Sequence, residues 1–142
     1  MIRQLAYIGV ASPHHEQWES FGTDVLGCES AERALDGAVR LRVDDAVHRI
    51  TVRPGVRDEL LYTGWGFTNE VELAAYLDRL RDAGLTATAG THDECRDRGV
   101  AEMAWVTDPW GTRHEFVSGQ HRRPGTFWPG RPLSGFVADD FG

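Results

Sequence analysis

The sequence lacks the features that would indicate a membrane or secreted protein. No apolar run approaches the roughly 20 residues that a helix needs to cross a bilayer. The start, Met1-Ile2-Arg3-Gln4-Leu5, does not show the charged and then apolar segments of a secretory signal. With 142 residues, of which 41% are apolar and 26% charged, the composition is ordinary for one globular domain. We therefore expect a soluble cytoplasmic domain that does not contact a membrane.

Features that bind nucleic acid or carry covalent catalysis are equally scarce. The formal net charge of −7 would repel phosphates, so we expect no nucleic-acid partner. The two cysteines, Cys28 and Cys95, stand far apart, which favours free thiols over a zinc knuckle or a redox pair. There is no G-x-S-x-G nucleophile motif and no glycine-rich phosphate loop.

The six histidines do not form a metal-binding motif, because neither H-x-H nor H-x-x-x-H occurs. His14 and His15 open the first predicted helix, and neighbouring helical residues do not face one another. His114 precedes Glu115 on a predicted strand, where successive side chains point to opposite faces of the sheet. We therefore expect that His114 and Glu115 do not share a metal ion.

The first half of the chain predicts one strand, one helix and three further strands. Residues 4–11 form an apolar run, and Ser12-Pro13 is typical of a helix start. Trp18, Phe21 and Val25 predict the apolar face of that helix, which Gly27 should end. Strands are predicted over residues 29–35, 39–43 and 48–52, with a hairpin turn at Asp36-Gly37.

The second half predicts the same order of elements. A strand over 60–67 contains Gly64 and Gly66, which suggest bends or bulges. Asn69 with Glu72 resembles a capping box, and a stripe of leucines follows it. Strands are then predicted over 86–89, 101–106 and 112–117, with a turn of helix within 91–99.

Two halves, about residues 2–53 and 58–118, thus each read as a βαβββ module, and the predicted class is α+β. One such module leaves the inner face of its sheet uncovered, so a partner module is expected. Beyond Gly119 the chain is rich in proline and glycine, which predicts an extended connector.

At this point the chain resembles the vicinal oxygen chelate superfamily, which includes glyoxalases, bleomycin- and fosfomycin-resistance proteins and type I extradiol dioxygenases. Within it, the chain is more similar to the N-terminal domain of dioxygenases of the 2,3-dihydroxybiphenyl type. The residues that carry the resemblance are residues 2–7, Trp18 through Gly27, Leu41-Arg42-Val43-Asp44, Leu60 through Trp65, Arg98-Gly99-Val100, and Thr107 through Gly111 leading to Glu115-Phe116.

The resemblance implies a curved mixed sheet with helices outside, as in the glyoxalase-like fold. It implies that residues 1–119 are an N-terminal domain of two modules. Residues 120–142 would be an extended linker toward a catalytic C-terminal domain that is not present in this chain. In such dioxygenases the linker ends in a Phe-Val segment, similar to Gly135-Phe136-Val137, and a Gly-His pair supplies the first iron ligand shortly afterwards.

For the site, the resemblance implies that the two histidines and one carboxylate that hold iron(II) lie in the C-terminal domain. The corresponding positions here are Tyr7, Leu60 or Leu61, and Glu115. Because Tyr7 and Leu60 replace the histidines, we expect no catalytic, cofactor-binding or metal-ligating residue in this chain, with Fe(II) in the missing domain. Glu115 is then either paired with an arginine such as Arg113 or Arg42, which we favour, or a ligand completed by an unidentified residue.

The main functional hypothesis is therefore the non-catalytic N-terminal domain of an extradiol dioxygenase, inactive alone. Its partners would be its own C-terminal domain, further copies in a homo-oligomer and, for the parent enzyme, an aromatic small molecule. The alternative is a standalone dimeric small-molecule-binding protein of the antibiotic-resistance type, with Tyr7, Trp65, Trp105 and Phe116 lining an apolar pocket. A glyoxalase-like isomerase or lyase ranks last, because it needs ligands where Tyr7 and Leu60 or Leu61 stand.

Overall fold

The computed structural model describes residues 1–131, and the elements follow the predicted order. Residues 132–142, which include the Gly135-Phe136-Val137 segment assigned to the linker, lie outside the described residues. The elements are β1 Gln4–Ser12, α1 Gln17–Ser20, a π-helical segment Phe21–Val25, β2 Glu29–Ser30, β3 Val39–Arg42, β4 Ile50–Pro54, β5 Glu59–Gly66, α2 Glu70–Asp82, β6 Thr88–Ala89, α3 His92–Arg98, β7 Glu102–Thr107 and β8 Arg113–Ser118.

Contacts between residues divide the chain into two compact units. Unit 1 contains Met1–Ile8 and Leu60–His121, and unit 2 contains Gly9–Glu59 with the chain from Arg122 onward, so both units include part of β1. In unit 1 the strand order is β1-β5-β8-β7-β6, with β5 and β8 parallel and the later pairs antiparallel. In unit 2 the order is β2-β3-β4-β1.

The two predicted modules correspond to β1–β4 and to β5–β8. In each module the first strand lies beside the last, and the third and second strands follow. This shared topology of mixed strands with helical connections confirms the α+β class and the glyoxalase-like fold. In the part of the chain that the structure describes, no helix combines the length and apolar character needed to cross a membrane.

The two helices of unit 1 begin at the side chains that local chemistry predicts. The Asn69 side chain accepts a hydrogen bond from the backbone N–H of Glu72, which confirms the predicted cap of α2. At α3, Thr91 and Glu94 form a complete capping box. Gly99 ends α3 in the left-handed conformation with φ of 64°, where a side chain would be strained. The predicted turn of helix is thus a full element of seven residues.

The first helix differs from its prediction. Only Gln17–Ser20 is α-helical, and the hydrogen bond from Leu26 N to Phe21 O belongs to a π-helical segment. Gly22 faces the side chain of Leu41, because a Cβ there would lie 2.4 Å from Leu41 Cδ1. Glycine rather than Phe21 therefore packs on the sheet. Phe21 and Val25, predicted on the apolar face, are 44% and 51% exposed.

The strand predicted over residues 29–35 is also shorter, since β2 contains only Glu29–Ser30. The turn around Asp36-Gly37 begins at Ala34, inside the predicted strand. Gly37 N donates a hydrogen bond to Ala34 O, and Ala34 N donates one to Ala38 O. The Asp36 carboxylate accepts from Ala38 N and fixes this turn. Ala34 and Leu35, predicted as the end of the strand, therefore belong to the turn.

Buried side chains form separate clusters in each unit. In unit 2, Cys28, Leu41 and Val52 belong to the core under α1. In unit 1, one cluster contains Ala6, Tyr7, Tyr62, Val100, Met103 and Val117. The other contains Phe67, Leu73 and Phe116 with the remaining leucines of α2 packed against it. The candidate site lies in the first of the two unit 1 clusters.

Candidate functional site

The carboxylate of Glu115 on β8 is fully buried and has hydrogen bonds to both of its oxygens. Tyr7 on β1 donates its hydroxyl to Oε2 at 2.6 Å. Arg98, the last residue of α3, donates Nε to Oε2 at 3.0 Å and Nη2 to Oε1 at 3.1 Å. Arg113 Nε lies 2.9 Å from Oε1 as an ion pair, without the geometry of a hydrogen bond. Both oxygens of Glu115 are therefore already hydrogen-bonded, and its negative charge is compensated by arginine.

Gly64 on β5 makes the contact between Tyr7 and Glu115 possible. β5 lies between β1 and β8, and Gly64 pairs with Glu115 in the parallel register. A Cβ on Gly64 would lie 2.5 Å from Cε2 of Tyr7. Glycine therefore leaves the space through which the ring reaches β8. The strand is continuous at this point, so the glycine provides room for a ring instead of the bend or bulge that the sequence suggested.

Tyr62 supports the cation that pairs with Glu115. The guanidinium carbon of Arg98 lies 3.6 Å from the centroid of the Tyr62 ring, within the range of a cation–π contact. The Tyr62 ring also meets Tyr7 edge to face at 5.9 Å. Its hydroxyl is buried and has no hydrogen-bond partner among residues 1–131. The two tyrosines thus enclose the Arg98–Glu115 pair.

The protonation states at this site follow from burial and charge. Burial, followed by the negative charge of Glu115 and the hydrogen bond to it, raises the pKa of Tyr7 well above its usual range. For Arg98, burial lowers the pKa. Interactions with Tyr62 and Glu115 raise it by more than burial lowers it, so the net shift of the Arg98 pKa is upward. Tyr7 therefore stays a hydroxyl donor and Arg98 stays a cation throughout the physiological range.

The donor set at these positions does not fit iron(II). The only carboxylate, Glu115, gives both oxygens to Arg98, and the Tyr7 oxygen keeps its proton. Leu60 and Leu61, at the other ligand-like position, offer only apolar side chains. Within residues 1–131, no group of three or more histidine, cysteine, aspartate or glutamate side chains is arranged so that it could hold a metal ion. The guanidinium of Arg98 already supplies the positive charge that a cation would bring.

Of the two interpretations of Glu115, pairing with arginine describes its contacts. Arg113 was expected as a partner, but Arg98 was missed. Arg42, the other arginine considered, donates to the backbone oxygen of Asp44 and approaches Glu29. Arg98 ends α3 and Glu115 lies on β8, so their contact depends on how α3 packs and no local signal in the sequence indicates it.

His114, next to Glu115, makes a separate set of contacts. Its Nε2 lies 3.1 Å from Asp108 Oδ2, and its Nδ1 lies 2.9 Å from Thr63 Oγ1 and accepts from Trp65 Nε1 at 3.1 Å. The hydrogen bond with His114 lowers the pKa of Asp108. None of these partners is shared with Glu115, as the alternation of side chains along a strand predicts.

The four aromatic residues named for the binding-protein alternative have different surroundings within unit 1. Tyr7 lies in the cluster with Tyr62, whereas Trp65 and Phe116 belong to the cluster around Phe67. Trp105 stacks under the guanidinium of Arg113 at 4.3 Å. An open groove of about 380 Å³ in unit 1 lies between α2, α3 and β7, and none of the four predicted aromatics lines it. The four side chains are therefore divided among different contacts, and a shared apolar pocket lined by them stays a prediction.

Both cysteines are free thiols, as predicted, with Cys28 buried and Cys95 half-buried. Burial raises the pKa of both, and for Cys95 the neighbouring carboxylates Glu94 and Glu102 raise it further. Neither thiol is therefore set up as a nucleophile.

Comparison with known proteins links this fold and sequence to ring-cleaving dioxygenases. Residues 5–55 match the family described as Dihydroxybiphenyl dioxygenase BphC D1. A 1,2-dihydroxynaphthalene dioxygenase of Sphingobium xenophagum is 31% identical over 137 residues, which are 94% of this chain and 45% of that protein. An iron-dependent extradiol dioxygenase of Rhodococcus jostii (strain RHA1) is 34% identical over 125 residues, 86% of this chain and 42% of that protein.

A solved structure gives the same result. The crystal structure of BphC, a halotolerant catechol dioxygenase, superposes with a TM-score of 0.89 and 40% sequence identity, covering 96% of this chain and 46% of that one. The chain therefore spans about half the length of the curated relatives and the solved structure that it matches.

Proposed function

We propose that this chain is the non-catalytic N-terminal domain of an extradiol dioxygenase of the vicinal oxygen chelate superfamily, because its sequence and fold are similar to one half of such enzymes. The parent enzyme inserts both atoms of dioxygen into a catechol-type ring and breaks the carbon–carbon bond beside one hydroxyl. Iron(II) in the other half supplies the site for the catechol oxygens and for dioxygen.

One observation carries the assignment of this half as non-catalytic. The ligand-like position Glu115 is buried in an ion pair with Arg98 and in a hydrogen bond from Tyr7. A metal ion at this point would have to displace a buried guanidinium, which leaves a second uncompensated charge nearby. Glu115, Arg98 and Tyr7 therefore stabilise the domain, and we assign no catalytic group, cofactor ligand or metal ligand to this half.

We also propose how the chain is divided into domain and linker, and which partners it has. Residues 1–119 form the domain of two modules, and residues 120–142 form the linker toward the C-terminal catalytic domain. That domain is the first partner, and further copies of the protein in a homo-oligomer are the second. The substrate of the whole enzyme is an aromatic diol, and the enzyme acts in the cytoplasm.

The test compares the natural protein, purified at its full encoded length, with the chain of residues 1–142. We expect the natural protein to contain iron by mass spectrometry and to cleave 2,3-dihydroxybiphenyl or catechol, as followed by the absorbance of the ring-opened product. The chain of 142 residues should fold but contain no iron and cleave neither compound. Iron-dependent cleavage by the short chain, or a natural protein without iron and without cleavage, would overturn the proposal.

A variant of the natural protein tests whether Glu115 binds iron or only stabilises its own half. Glu115→Gln keeps the shape of the side chain but removes its charge, and it should lower stability without removing iron. Loss of iron in this variant, with the fold retained by circular dichroism, would assign Glu115 to a metal site and contradict the proposal.

A further inference from the structure

A segment after the last strand, Arg122–Gly130, lies against unit 2, and we name it the strap. Its first residues are bound at Asp45, since Arg123 N donates to Asp45 O at 2.8 Å and the Arg122 guanidinium pairs with the Asp45 carboxylate. Arg122 also forms an isolated β-bridge with Ala46. A proline- and glycine-rich connector without such contacts would move freely. This segment is fixed at its beginning.

Glu29 on β2 binds the middle of the strap with both carboxylate oxygens. Its Oε1 accepts from Arg123 Nη1 at 2.7 Å, and its Oε2 accepts from the backbone N–H of Trp128 at 3.1 Å. Arg42 Nη1 of β3 also approaches Oε1 at 3.5 Å. One side chain therefore joins a strand of the sheet to two separate points of the strap.

Arg42 and Phe127 form the buried contact beneath the strap. Arg42 is 1% exposed, and its guanidinium donates to the backbone oxygen of Asp44 at 2.8 Å and 3.1 Å. The Phe127 ring is 6% exposed, and its centroid lies 5.9 Å from the guanidinium carbon. A buried charge is costly unless the groups that shield it from water also pair with it. The aromatic residue of the strap provides that cover.

The strap ends at Gly130, which lies so close to the backbone of Thr23 and Cys28 that only a glycine fits there. Gly130 N donates to Gly27 O and to Cys28 O, both at 3.2 Å. A Cβ on Gly130 would lie 2.5 Å from Cys28 O and 2.8 Å from Thr23 O, both of which are backbone atoms that cannot turn away. The end of the strap is therefore held by backbone contacts as closely as its beginning is held by charges.

We propose that the strap is a positioning device: Glu29, Arg42, Phe127 and Gly130 fix the point and direction in which the chain leaves unit 2, and this sets the arrangement of the catalytic half. The proposal rests on the proposed function, because it takes the following half to be the catalytic one. A segment held at both ends and at its centre has little freedom to change direction. This matters because small displacements of a catalytic group lower the reaction rate strongly.

The test uses the natural full-length protein and changes only residues of the strap. Phe127→Ala removes the cover of Arg42, and Gly130→Ala introduces the backbone clash at the exit. Thr126→Ala, at an exposed side chain directly before Phe127, is the matched control. Hydrogen exchange by mass spectrometry measures the amides of residues 121–131, small-angle X-ray scattering measures the arrangement of the halves, and ring cleavage and iron content are measured in parallel.

We expect both strap variants to keep their iron, to exchange the strap amides about tenfold faster or more, and to change the scattering curve. Their kcat should fall by about tenfold or more, whereas Thr126→Ala should behave like the unmodified protein. Faster exchange with unchanged scattering and unchanged kcat would overturn the positioning role, as would unchanged exchange. If the unmodified protein has neither iron nor activity, the proposed function fails, and the scattering comparison alone decides the role of the strap.

Discussion

The hydroxyl of Tyr7 donates a hydrogen bond of 2.6 Å to Oε2 of Glu115, and the two residues are 108 positions apart in the sequence. The bond joins the first strand of the chain to its last across β5. Both residues are buried, and both belong to unit 1. The position that resembles a metal ligand is therefore part of the structural core, and its contacts lead to measurable expectations.

Tyr7→Phe removes the hydroxyl but keeps the ring. Because a buried carboxylate then loses one of its donors, we expect a loss of about 2 kcal/mol in the free energy of unfolding, measured in urea. Tyr62→Phe is the matched control, because the Tyr62 hydroxyl has no hydrogen-bond partner in the described part of the chain. Tyr62→Phe should be neutral or stabilising, and equal losses in the two variants would contradict this account.

Arg98→Met leaves Glu115 buried without its main counter-ion. We expect a loss of about 3–5 kcal/mol in the free energy of unfolding, and the double variant Arg98→Met/Glu115→Leu should recover most of it. Arg96→Met, on the exposed side of the same helix, should cost less than about 1 kcal/mol. A double variant that is no more stable than the single one would show that packing rather than the buried charge causes the loss.

Tyr7 should also make stability depend on pH in the alkaline range. Its pKa is raised in the folded state, so the folded protein keeps a proton that the unfolded chain loses above about pH 10. The stabilisation is fully present below that pH and declines as the pH rises above it, by about 1.4 kcal/mol per unit for one group. Tyr7→Phe should flatten this decline in urea titrations from pH 8 to about 11.

The composition makes this measurement easier to interpret. The sequence contains no lysine and only three tyrosines and two cysteines, so few other groups titrate near pH 10. An unchanged alkaline slope in Tyr7→Phe would show that another of these groups carries the dependence.

Gly64→Ala tests the passage of the Tyr7 ring across β5. A Cβ 2.5 Å from the ring forces the ring or the strand to move, and we expect a loss of about 1–3 kcal/mol. Gly66→Ala on the same strand is the control, because its nearest contact is the flexible Gln4 side chain at 3.1 Å. Thermal unfolding of the two variants gives the comparison, and similar stability in both would refute the steric explanation.

Local chemistry was sufficient to predict most elements. Asn69 caps α2 and Gly27 follows the first helical region because caps and stops depend on a few neighbouring residues. Predictions failed in two ways. The π-helical segment places Gly22 against Leu41, a residue of a later strand that the local pattern does not include. The early end of β2 is instead a local effect, because hydrogen bonds among residues 34–38 close the Asp36 turn.

The same distinction applies to the candidate site. The alternation of side chains along a strand predicted that His114 and Glu115 have different partners. The spacing of residues could not indicate that Arg98 binds Glu115, because their contact depends on the packing of α3 against the sheet. It also could not show that Gly64 opens a path for Tyr7, because the register between β5 and β8 is set by the whole sheet.

The sequence by itself therefore determined the order of elements, the α+β class and the absence of histidines at the ligand-like positions, because these follow from periodicity, capping and residue identity. Only the tertiary structure decided that Glu115 is neutralised by Arg98 and Tyr7, and that the proline-rich strap is bound to Glu29 and Arg42. Both outcomes depend on long-range contacts between charged and aromatic side chains, whose free energy depends on burial, and burial is a property of the folded chain.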